Sequence, residues 1–406
     1  MTDPIRANFG QLIEDGLLEI GDGYRAKLEE LGGTGPIFMR AGCMKANGFD
    51  WSEAERFNVM SVSKYQTKIG RIGDTVVTTK GNSVGRTAYV GPDIPAFVYS
   101  PHLSYWRSLD RGKIIPEFLY YWSRGEEFSR QLRALAHGTD MAPYLSLTDQ
   151  RRMLISLPPP SVQRGIAFTL RALDDKIAVN DRIADSYEAI VAFHFEQLGS
   201  DIEASYGSVP ASEMVEFNPK TAAPIRTDAV YLDMAALPTK TARVRNYSRR
   251  QPKPGTRFRN GDTVMARITP CLENGKTAFV DFLPEGEIGV GSTEFIVMRP
   301  RPGVPAHFPY FLARSQRFRT IAIRNMVGSS GRQRVSAAQM QDVPLVRPKT
   351  SELSKFDEVA SPAFAHMKSL GQESKTLAEL RDLLLPKLMS GELRVKDAER
   401  LVEDMV

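Results

Sequence analysis

The chain has 406 residues, enough for two or three domains, and 42% of them are hydrophobic, enough to build cores. No apolar run is long enough to span a membrane, the start is not typical of a signal peptide, and two cysteines supply neither a disulfide framework nor a metal site. These features predict a soluble cytoplasmic protein, and the net charge of +5 favours an anionic partner.

Residues 1–158 are predicted to form a first globular domain around a β-hairpin. Its strands, at residues 74–79 and 87–90, flank a polar loop at residues 80–86. Other elements of this domain are predicted as strands at 36–40, 56–60 and 153–157, a helix at 116–134 and a loop at 138–143.

A long central helix is predicted within residues 159–203. Between residues 161 and 198 there is no proline, and apolar residues recur at alternating four- and three-residue steps. This spacing is typical of a heptad seam, which needs a partner helix, and the polar Asn180 within it would fix the register. An amphipathic helix on its own domain core is the alternative.

Residues 204–347 are predicted to form a second domain with a strand near 224–236, a longer hairpin tip at 267–276, a helix at 308–321 and a loop at 328–334. Residues 240–259 contain eight basic and no acidic residues, which favours contact with nucleic-acid phosphates over a merely solvated loop. The 328–334 loop carries Arg and Gln, which pair with guanine and adenine, although a flexible surface loop is the alternative.

The last predicted segment, residues 348–406, contains a second long helix at 351–389 with a similar seam and the polar Ser374 within it. Pro362 predicts a kink or a later start, and Pro386 predicts an interruption. Gly391 is suited to cap the helix, and the charged tail is predicted to be a short helix or frayed.

The chain contains an internal repeat. The block Gly73-Asp74-Thr75-Val76, with its partner strand at 87–90, recurs about 190 residues later as Gly261-Asp262-Thr263-Val264 with residues 277–280. The predicted fold class is α+β, with two tandem mixed α/β domains, each followed by a long helix. The two helices are predicted to pair as an antiparallel coiled coil, which gives a pseudo-twofold repeat.

Residues for catalysis are not apparent in the sequence. The five histidines are scattered without HExxH or other ligand spacing, and no phosphate-binding GxxxxGK[ST] loop occurs. Cys271 is a lone thiol, and the sequence identifies no general base that would activate it as a nucleophile. The sequence therefore predicts no catalytic residue and no metal ligand.

Several motifs together resemble one family, the specificity subunits of type I restriction–modification enzymes, over almost the whole chain. They are the tandem blocks above, Leu-Pro-Pro-Pro at 157–160 with Ala-Leu-Asp-Asp-Lys-Ile at 172–177, Ile-Thr-Pro-Cys-Leu-Glu-Asn-Gly-Lys at 268–276, and the segment 380–393 that includes Leu-Pro-Lys-Leu-Met-Ser-Gly-Glu-Leu.

The resemblance implies a non-catalytic subunit with two target-recognition domains, each reading one half of a split double-stranded DNA site. The two helices would act as a spacer and dock two methyltransferase subunits, which restriction and translocase subunits join. No cofactor is implied in this chain, whereas S-adenosylmethionine, ATP and Mg²⁺ are expected on the partner subunits. No contact with a membrane is expected.

Candidate DNA contacts follow from the hairpin tips, the loops and the basic stretch. The first-domain candidates are Lys80, Asn82, Ser83 and Arg86, with Lys64, Tyr65 and Lys68 as supporting residues. The second-domain candidates are Arg249 and Arg250 on phosphates, with Arg267, Thr269, Glu273, Asn274, Lys276, Arg332, Gln333 and Arg334.

Two other functions remain open from the sequence. One is a single-chain DNA methyltransferase or nuclease with unrecognised motifs, which methyl transfer by the isolated chain would reveal. The other is a coiled-coil adaptor that binds only proteins, which the basic stretch at 240–259 disfavours.

Overall fold

The structure, a computed structural model, describes residues 4–45, 48–52, 54–59, 65–136, 143–202, 207–225, 228–251, 254–329, 331–403 and 405. The chain divides into two compact units, Met1–Lys176 with Leu377–Val406, and Ile177–Thr376. Each long helix contributes to both units. The domain bounds 1–158, 159–203, 204–347 and 348–406 stay a prediction.

The first unit contains a four-stranded antiparallel sheet, ordered β2-β9-β6-β7, with short strand pairs beside it. Its strands are β1 (Ile5–Asn8), β2 (Leu18–Asp22), β3 (Ile37–Met39), β4 (Met44–Lys45), β5 (Gly48–Phe49), β6 (Thr75–Thr78), β7 (Thr87–Tyr89), β8 (Phe97–Tyr99), β9 (Leu103–Ser108) and β10 (Leu154–Leu157). Its helices are α1 (Phe9–Glu14), α2 (Pro116–Trp122), α3 (Glu126–Ala136), α4 (Leu147–Arg152) and the start of α5 (Pro160–Gln197).

The second unit has a four-stranded antiparallel sheet, ordered β12-β19-β16-β17, and a second sheet ordered β14-β13-β18-β15. Its strands are β11 (Ser208–Pro210), β12 (Val215–Phe217), β13 (Ala229–Leu232), β14 (Ser248–Arg250), β15 (Thr256–Phe258), β16 (Thr263–Ala266), β17 (Thr277–Phe279), β18 (Gly289–Gly291), β19 (Phe295–Pro300) and β20 (Pro344–Val346). Its own helices are α6 (Phe308–Arg314), α7 (Gln316–Arg324) and α8 (Ala337–Gln341); α9 (Thr350–Ser390) continues into the first unit, which also holds α10 (Val395–Glu403).

The two units repeat one topology, as the sequence predicts. The antiparallel pair β1–β10 corresponds to β11–β20, and the parallel pair β3–β8 corresponds to β13–β18. The N-cap of one short helix also recurs. Ser146 at the start of α4 and Ser336 at the start of α8 each accept a hydrogen bond from the backbone N–H three residues later. The predicted fold class is confirmed.

Several local predictions need correction. The helices predicted at 116–134 and 308–321 are each two helices, α2 with α3 and α6 with α7. In the strand predicted at 56–60, Arg56 and Phe57 make only isolated bridges, and residue 60 lies outside the described residues. The second unit has the longer strands β14 and β15 where Arg56 and Ile69 of the first unit make single bridges to β3 and β8.

The repeated Gly-Asp pair builds a turn and an ion pair of a buried aspartate in each unit. Gly73 and Gly261 have φ of +96° and +88°, a backbone conformation that favours glycine. The Asp74 carboxylate binds Nε and Nη2 of Arg107 on β9 at 2.7 and 2.8 Å. The Asp262 carboxylate binds the same atoms of Arg299 on β19, both at 2.7 Å. The pair therefore ties the start of each hairpin to the neighbouring strand.

In the second unit, α5 and α9 pack antiparallel. Three contacts define this direction: Asn180 Nδ2 to Glu373 Oε2 at 2.8 Å, the Tyr187 and His366 rings at 5.2 Å between centroids, and the Phe195 and Phe356 rings at 6.1 Å. As the residue number rises along α5, the number of the partner residue on α9 falls, which is the antiparallel direction. The predicted seam is confirmed here, and its polar Asn180 pairs with Glu373 beside the predicted Ser374.

In the first unit, the other parts of the same helices are joined by an ion pair. Arg381 is buried and its Nη1 lies 2.5 Å from Asp174 Oδ1. The predicted seam residue Leu380 is only half-buried beside it. Here the buried seam position is therefore Arg381, one residue after the apolar position that the spacing predicts.

Both prolines expected to disturb α9 lie inside a continuous helix. Pro362 and Pro386 are exposed, whereas their neighbours Ala363 and Leu385 are buried. Each proline removes one backbone hydrogen bond on the solvent side, where water can replace it, while packing holds the buried side. The helix ends at Ser390, and Gly391 follows with φ of +76°, as the sequence predicts for a cap. The tail is helical as α10.

We expect Asp262→Asn to weaken the sheet of the second unit. It leaves Arg299, whose side chain is 13% exposed, without the carboxylate of the buried Asp262, and loss of one partner of a buried pair costs on the order of 3–5 kcal/mol. Hydrogen exchange of the β16 and β19 amides should therefore speed up strongly. Glu126→Gln, at an ion pair that is more than 60% exposed on both sides, is the control and should change no protection. Unchanged exchange in β16 and β19 would contradict the structural role of the pair.

Candidate nucleic-acid interface

The second unit joins its hairpin tip, residues 267–276, to the loop predicted at 328–334 and to Val335 directly after it. The Thr269 N–H donates to the Gln333 carbonyl at 3.1 Å, and the Val335 N–H donates to the Arg267 carbonyl at 3.0 Å. A further bridge pairs Ile268 with Arg334. The sequence predicts these two segments as separate candidates, and the structure brings them into one surface.

Glu294, which is absent from the sequence-predicted candidates, organises that surface. Both of its carboxylate oxygens accept from Arg334, with Nε and Nη2 at 2.8 Å, and Arg267 Nε lies 3.3 Å from one of them. The hydrogen bond from Arg334 holds the pKa of Glu294 below its usual value, so the carboxylate stays ionised at neutral pH. The only sequence signal was its place directly before β19.

The other predicted residues of this surface divide into exposed and engaged groups. Glu273, Asn274 and Arg332 are exposed, and Gln333 is half-buried. Thr269 is half-buried with its hydroxyl 3.9 Å from the Met326 sulfur. Lys276 Nζ donates to the Met234 carbonyl at 2.6 Å, so its ammonium is used within the unit. The exposed polar side chains are therefore the ones positioned for an outside partner.

The basic stretch 240–259 is not one uniform patch. Arg243 and Arg245 bind Asp181 of α5 at 2.6 and 3.0 Å, which docks this part of the stretch on the helix. Further along, β14 is an exposed edge strand that carries Arg249 and Arg250.

The two β14 arginines differ in their contacts. Arg249 forms a fork with Glu287, with two N–O distances of 3.0 Å. The Arg250 guanidinium stacks over the Tyr231 ring, 3.2 Å from its centroid. Both side chains remain exposed, so their charges face solvent and suit phosphate contacts.

The first unit presents a different tip at residues 80–86. The Lys80 ammonium lies 4.8 Å from the Tyr144 ring centroid, and Arg86 donates to the Met44 carbonyl at 2.7 Å. Asn82 is exposed, whereas Ser83 is half-buried and its carbonyl accepts from the Thr78 hydroxyl. Residues 138–142 of the loop predicted at 138–143 and the candidate Lys64 lie outside the described residues.

Of the supporting residues, Tyr65 is wrong as a surface contact. Its side chain is fully buried, with its ring centroid 4.4 Å from that of Phe57, in an apolar cluster that the spacing of the sequence did not reveal. Lys68 is half-buried, and its ammonium binds Asp22 at 2.8 Å.

Matching backbone hydrogen bonds identify equivalent positions in the two tips. Leu145 donates to the Thr79 carbonyl as Val335 donates to that of Arg267, and Thr79 donates to the His102 carbonyl as Arg267 donates to that of Glu294. The first unit thus has Thr79, His102 and Tyr144 where the second has Arg267, Glu294 and Arg334. One scaffold carries two chemically different surfaces.

Desolvation shifts the pKa of two ionisable groups of the second unit strongly. Burial lowers the pKa of His307 to about 4, between the rings of Phe279 and Phe364, and burial raises the pKa of Asp281 to about 6. Within the described ranges, no three His, Cys, Asp or Glu side chains are grouped to hold a metal ion.

No described helix is both long and apolar enough to cross a membrane. The exposed surfaces described above offer hydrogen-bond donors and positive charge.

No protein-family model matches the chain. The type I restriction enzyme EcoEI specificity subunit of Escherichia coli is 30% identical over 151 residues, which are 37% of this chain and 25% of that protein. The chain thus spans about a quarter of the length of this relative. The type I restriction enzyme MjaIX specificity subunit of Methanocaldococcus jannaschii is 21% identical over 310 residues, 70% of each chain.

Among solved structures, the type I restriction–modification S subunit from M. genitalium is similar in fold, with a TM-score of 0.54 and 14% identity over 95% of each chain. The resemblance stated from the sequence motifs is therefore confirmed: relatives in sequence and a solved structure of similar fold are type I specificity subunits.

We expect Tyr65→Phe to leave both stability and DNA affinity unchanged. Among the described residues the Tyr65 hydroxyl has no hydrogen-bond partner, and the buried ring packs without it. Tyr65→Ala is the contrasting variant and should destabilise the first unit by about 3–5 kcal/mol, as loss of a buried ring does. Urea unfolding and a DNA titration measure both effects. Weaker DNA binding by a folded Tyr65→Phe variant would contradict this expectation and indicate that the Tyr65 hydroxyl contacts DNA.

Proposed function

We propose that the chain is the non-catalytic, DNA-binding specificity subunit of a type I restriction–modification complex, in which each unit reads one half of a split duplex target. One observation carries this proposal most directly. A single topology occurs twice, and at equivalent tip positions the two copies present different polar groups. Two copies of one scaffold with different reading groups are suited to two different half-sites.

The exposed groups have the chemistry that base reading requires. Arg donates two bonds to guanine, and Asn and Gln pair with adenine through both amide atoms. Asn274, Arg332 and Gln333 provide these groups in the second unit, and Lys80 and Asn82 provide donors in the first. Arg249 and Arg250 on the exposed strand β14 suit phosphate contacts, which supply affinity without sequence information.

The second unit also exposes an apolar stripe on α5 suited to a protein partner. Val179, Ile183, Ile190 and Phe193 share one helix face and are 38, 37, 49 and 57% exposed. A row of exposed apolar side chains on a helix suits a partner helix or groove. We assign this stripe to a methyltransferase subunit. A complex with two such subunits and the restriction subunits follows from the resemblance, with S-adenosylmethionine, ATP and Mg²⁺ held by those partners.

The direct test is enrichment of DNA bound by the full chain from a pool of random duplexes. The expected result is a split motif, with two different specified half-sites separated by unspecified base pairs. Equal recovery of all sequences, or a continuous motif, would contradict the proposal. Incubation of the same chain with S-adenosylmethionine tests the single-chain methyltransferase alternative, which requires methylated DNA as the product.

Arg249→Ala with Arg250→Ala should weaken binding to all duplexes by the same factor. Because each phosphate contact releases counterions, the dependence of log K on log salt should fall by roughly one for each arginine that contacts a phosphate. Titrations at several salt concentrations measure this slope. Arg394→Ala, in the exposed pair with Asp397, is the control and should leave it unchanged. A loss confined to one base pair would assign the arginines to base reading instead.

Phe193→Glu with Ile190→Glu should prevent assembly with the methyltransferase subunit. A charge placed in an apolar contact must be desolvated, and removal of an aromatic anchor alone costs about 2 kcal/mol or more. Co-purification measures assembly, and DNA binding by the isolated chain should persist. Leu109→Glu, at an exposed apolar residue in the first unit, is the matched control. Normal assembly of the double variant would exclude this stripe as the docking face.

A further inference from the structure

We infer that Glu294 is a positioning residue that holds Arg334 in a fixed orientation for reading one guanine in the half-site of the second unit. This inference rests on the proposed function and deepens it. It concerns a carboxylate that makes no contact with the DNA itself. Its effect on recognition passes through the arginine it holds.

Among the residues that the structure describes, the contacts of Arg334 leave two donors free for a partner. A guanidinium has five N–H donors. Nε and Nη2 each use one on Glu294 at 2.8 Å, and Nη1 uses one on the Arg332 carbonyl at 3.1 Å. One donor on each terminal nitrogen remains, and the side chain is 39% exposed. Two donors on neighbouring nitrogens match the O6 and N7 acceptors of guanine in the major groove.

The carboxylate makes this arginine rigid before DNA arrives. A free arginine loses rotamer freedom when it binds, whereas a side chain already held by two short hydrogen bonds has lost it in advance. The backbone around it is fixed as well, because Val327 and Arg334 exchange two hydrogen bonds of 2.9 Å. The guanidinium is thus oriented by its own main chain and by Glu294.

Glu294 also changes the balance between non-specific and specific attraction. It binds both Arg334 and Arg267, so three charged groups together carry a single net positive charge. Attraction to phosphates of any sequence depends on that charge, whereas discrimination among bases depends on donor geometry. The carboxylate therefore weakens attraction to phosphates of any sequence and improves discrimination among bases.

The first unit provides an internal comparison. At the equivalent positions it has Thr79, His102 and Tyr144, so no carboxylate–arginine fork forms at this place in its tip. Any effect of changing Glu294 on base preference should therefore be confined to one half-site. A role in holding the tip to the loop would instead reduce binding to all sequences.

The test compares duplexes enriched by the full chain and by Glu294→Gln from one random pool. Glu294→Gln should lower the preference for guanine at one position of one half-site by about tenfold, while the other half-site is unchanged. Its affinity for non-specific duplex should be equal or higher, because a negative charge is removed. Glu287→Gln is the matched control, since it removes the carboxylate from a similar fork with Arg249 on β14. It should not change the base preference at any single position.

Arg334→Lys supports the test if the first variant folds poorly. This variant keeps the positive charge and loses the two-donor geometry, so it should weaken the preference for guanine at the same position of the half-site. The double variant should lose no more than either single variant, because both changes act on one contact.

The outcomes separate the two claims. A split motif that keeps every preference in Glu294→Gln, or a uniform loss across all sequences, overturns the role of Glu294 and leaves the proposed function standing. A wild-type chain that enriches no motif overturns the proposed function and this inference together.

Discussion

The buried aspartate–arginine pair is the constraint on which each unit depends. Asp74 and Asp262 lie in tight turns directly before β6 and β16, and Arg107 and Arg299 hold them from the neighbouring strands. Because removal of the arginine would leave a buried aspartate charge uncompensated, the turn and the strand register are fixed together. The hairpin that starts at this pair ends in the tip that carries the candidate reading residues. At one end of the hairpin, the aspartate–arginine pair is the same in both units. It thus positions a tip whose side chains differ between the two units.

The long helices add a second kind of constraint. Most of their seam is apolar, which supplies burial energy without specifying one register. The hydrogen bond between Asn180 and Glu373 in the second unit, and the ion pair between Asp174 and Arg381 in the first, are directional. Each is satisfied only when the two helix segments align correctly, and an unpaired buried polar group is costly. Polar pairs therefore select the alignment that apolar packing stabilises.

The repeat, the fold class and both long helices could be predicted from the sequence, because each depends on local spacing or on similarity between two segments. The ion-pair partners could not. Glu294 lies 40 residues from Arg334 along the chain, and only the folded sheet brings them together. The predicted surface role of Tyr65 failed for the same reason, since its burial depends on Phe57 and Val98. Pro362 and Pro386 do not break α9, because both are exposed on it, and that exposure depends on how the helix packs.

The central claim is that two copies of one scaffold read two different DNA half-sites. The most direct measurement is a map of methylated adenine across host DNA after co-expression of the chain with the methyltransferase subunit of its own system. The account predicts methylation within a split motif, with two unlike half-sites at a fixed separation. Methylation at a continuous motif, or none with a methyltransferase subunit that is active with another specificity subunit, would contradict it.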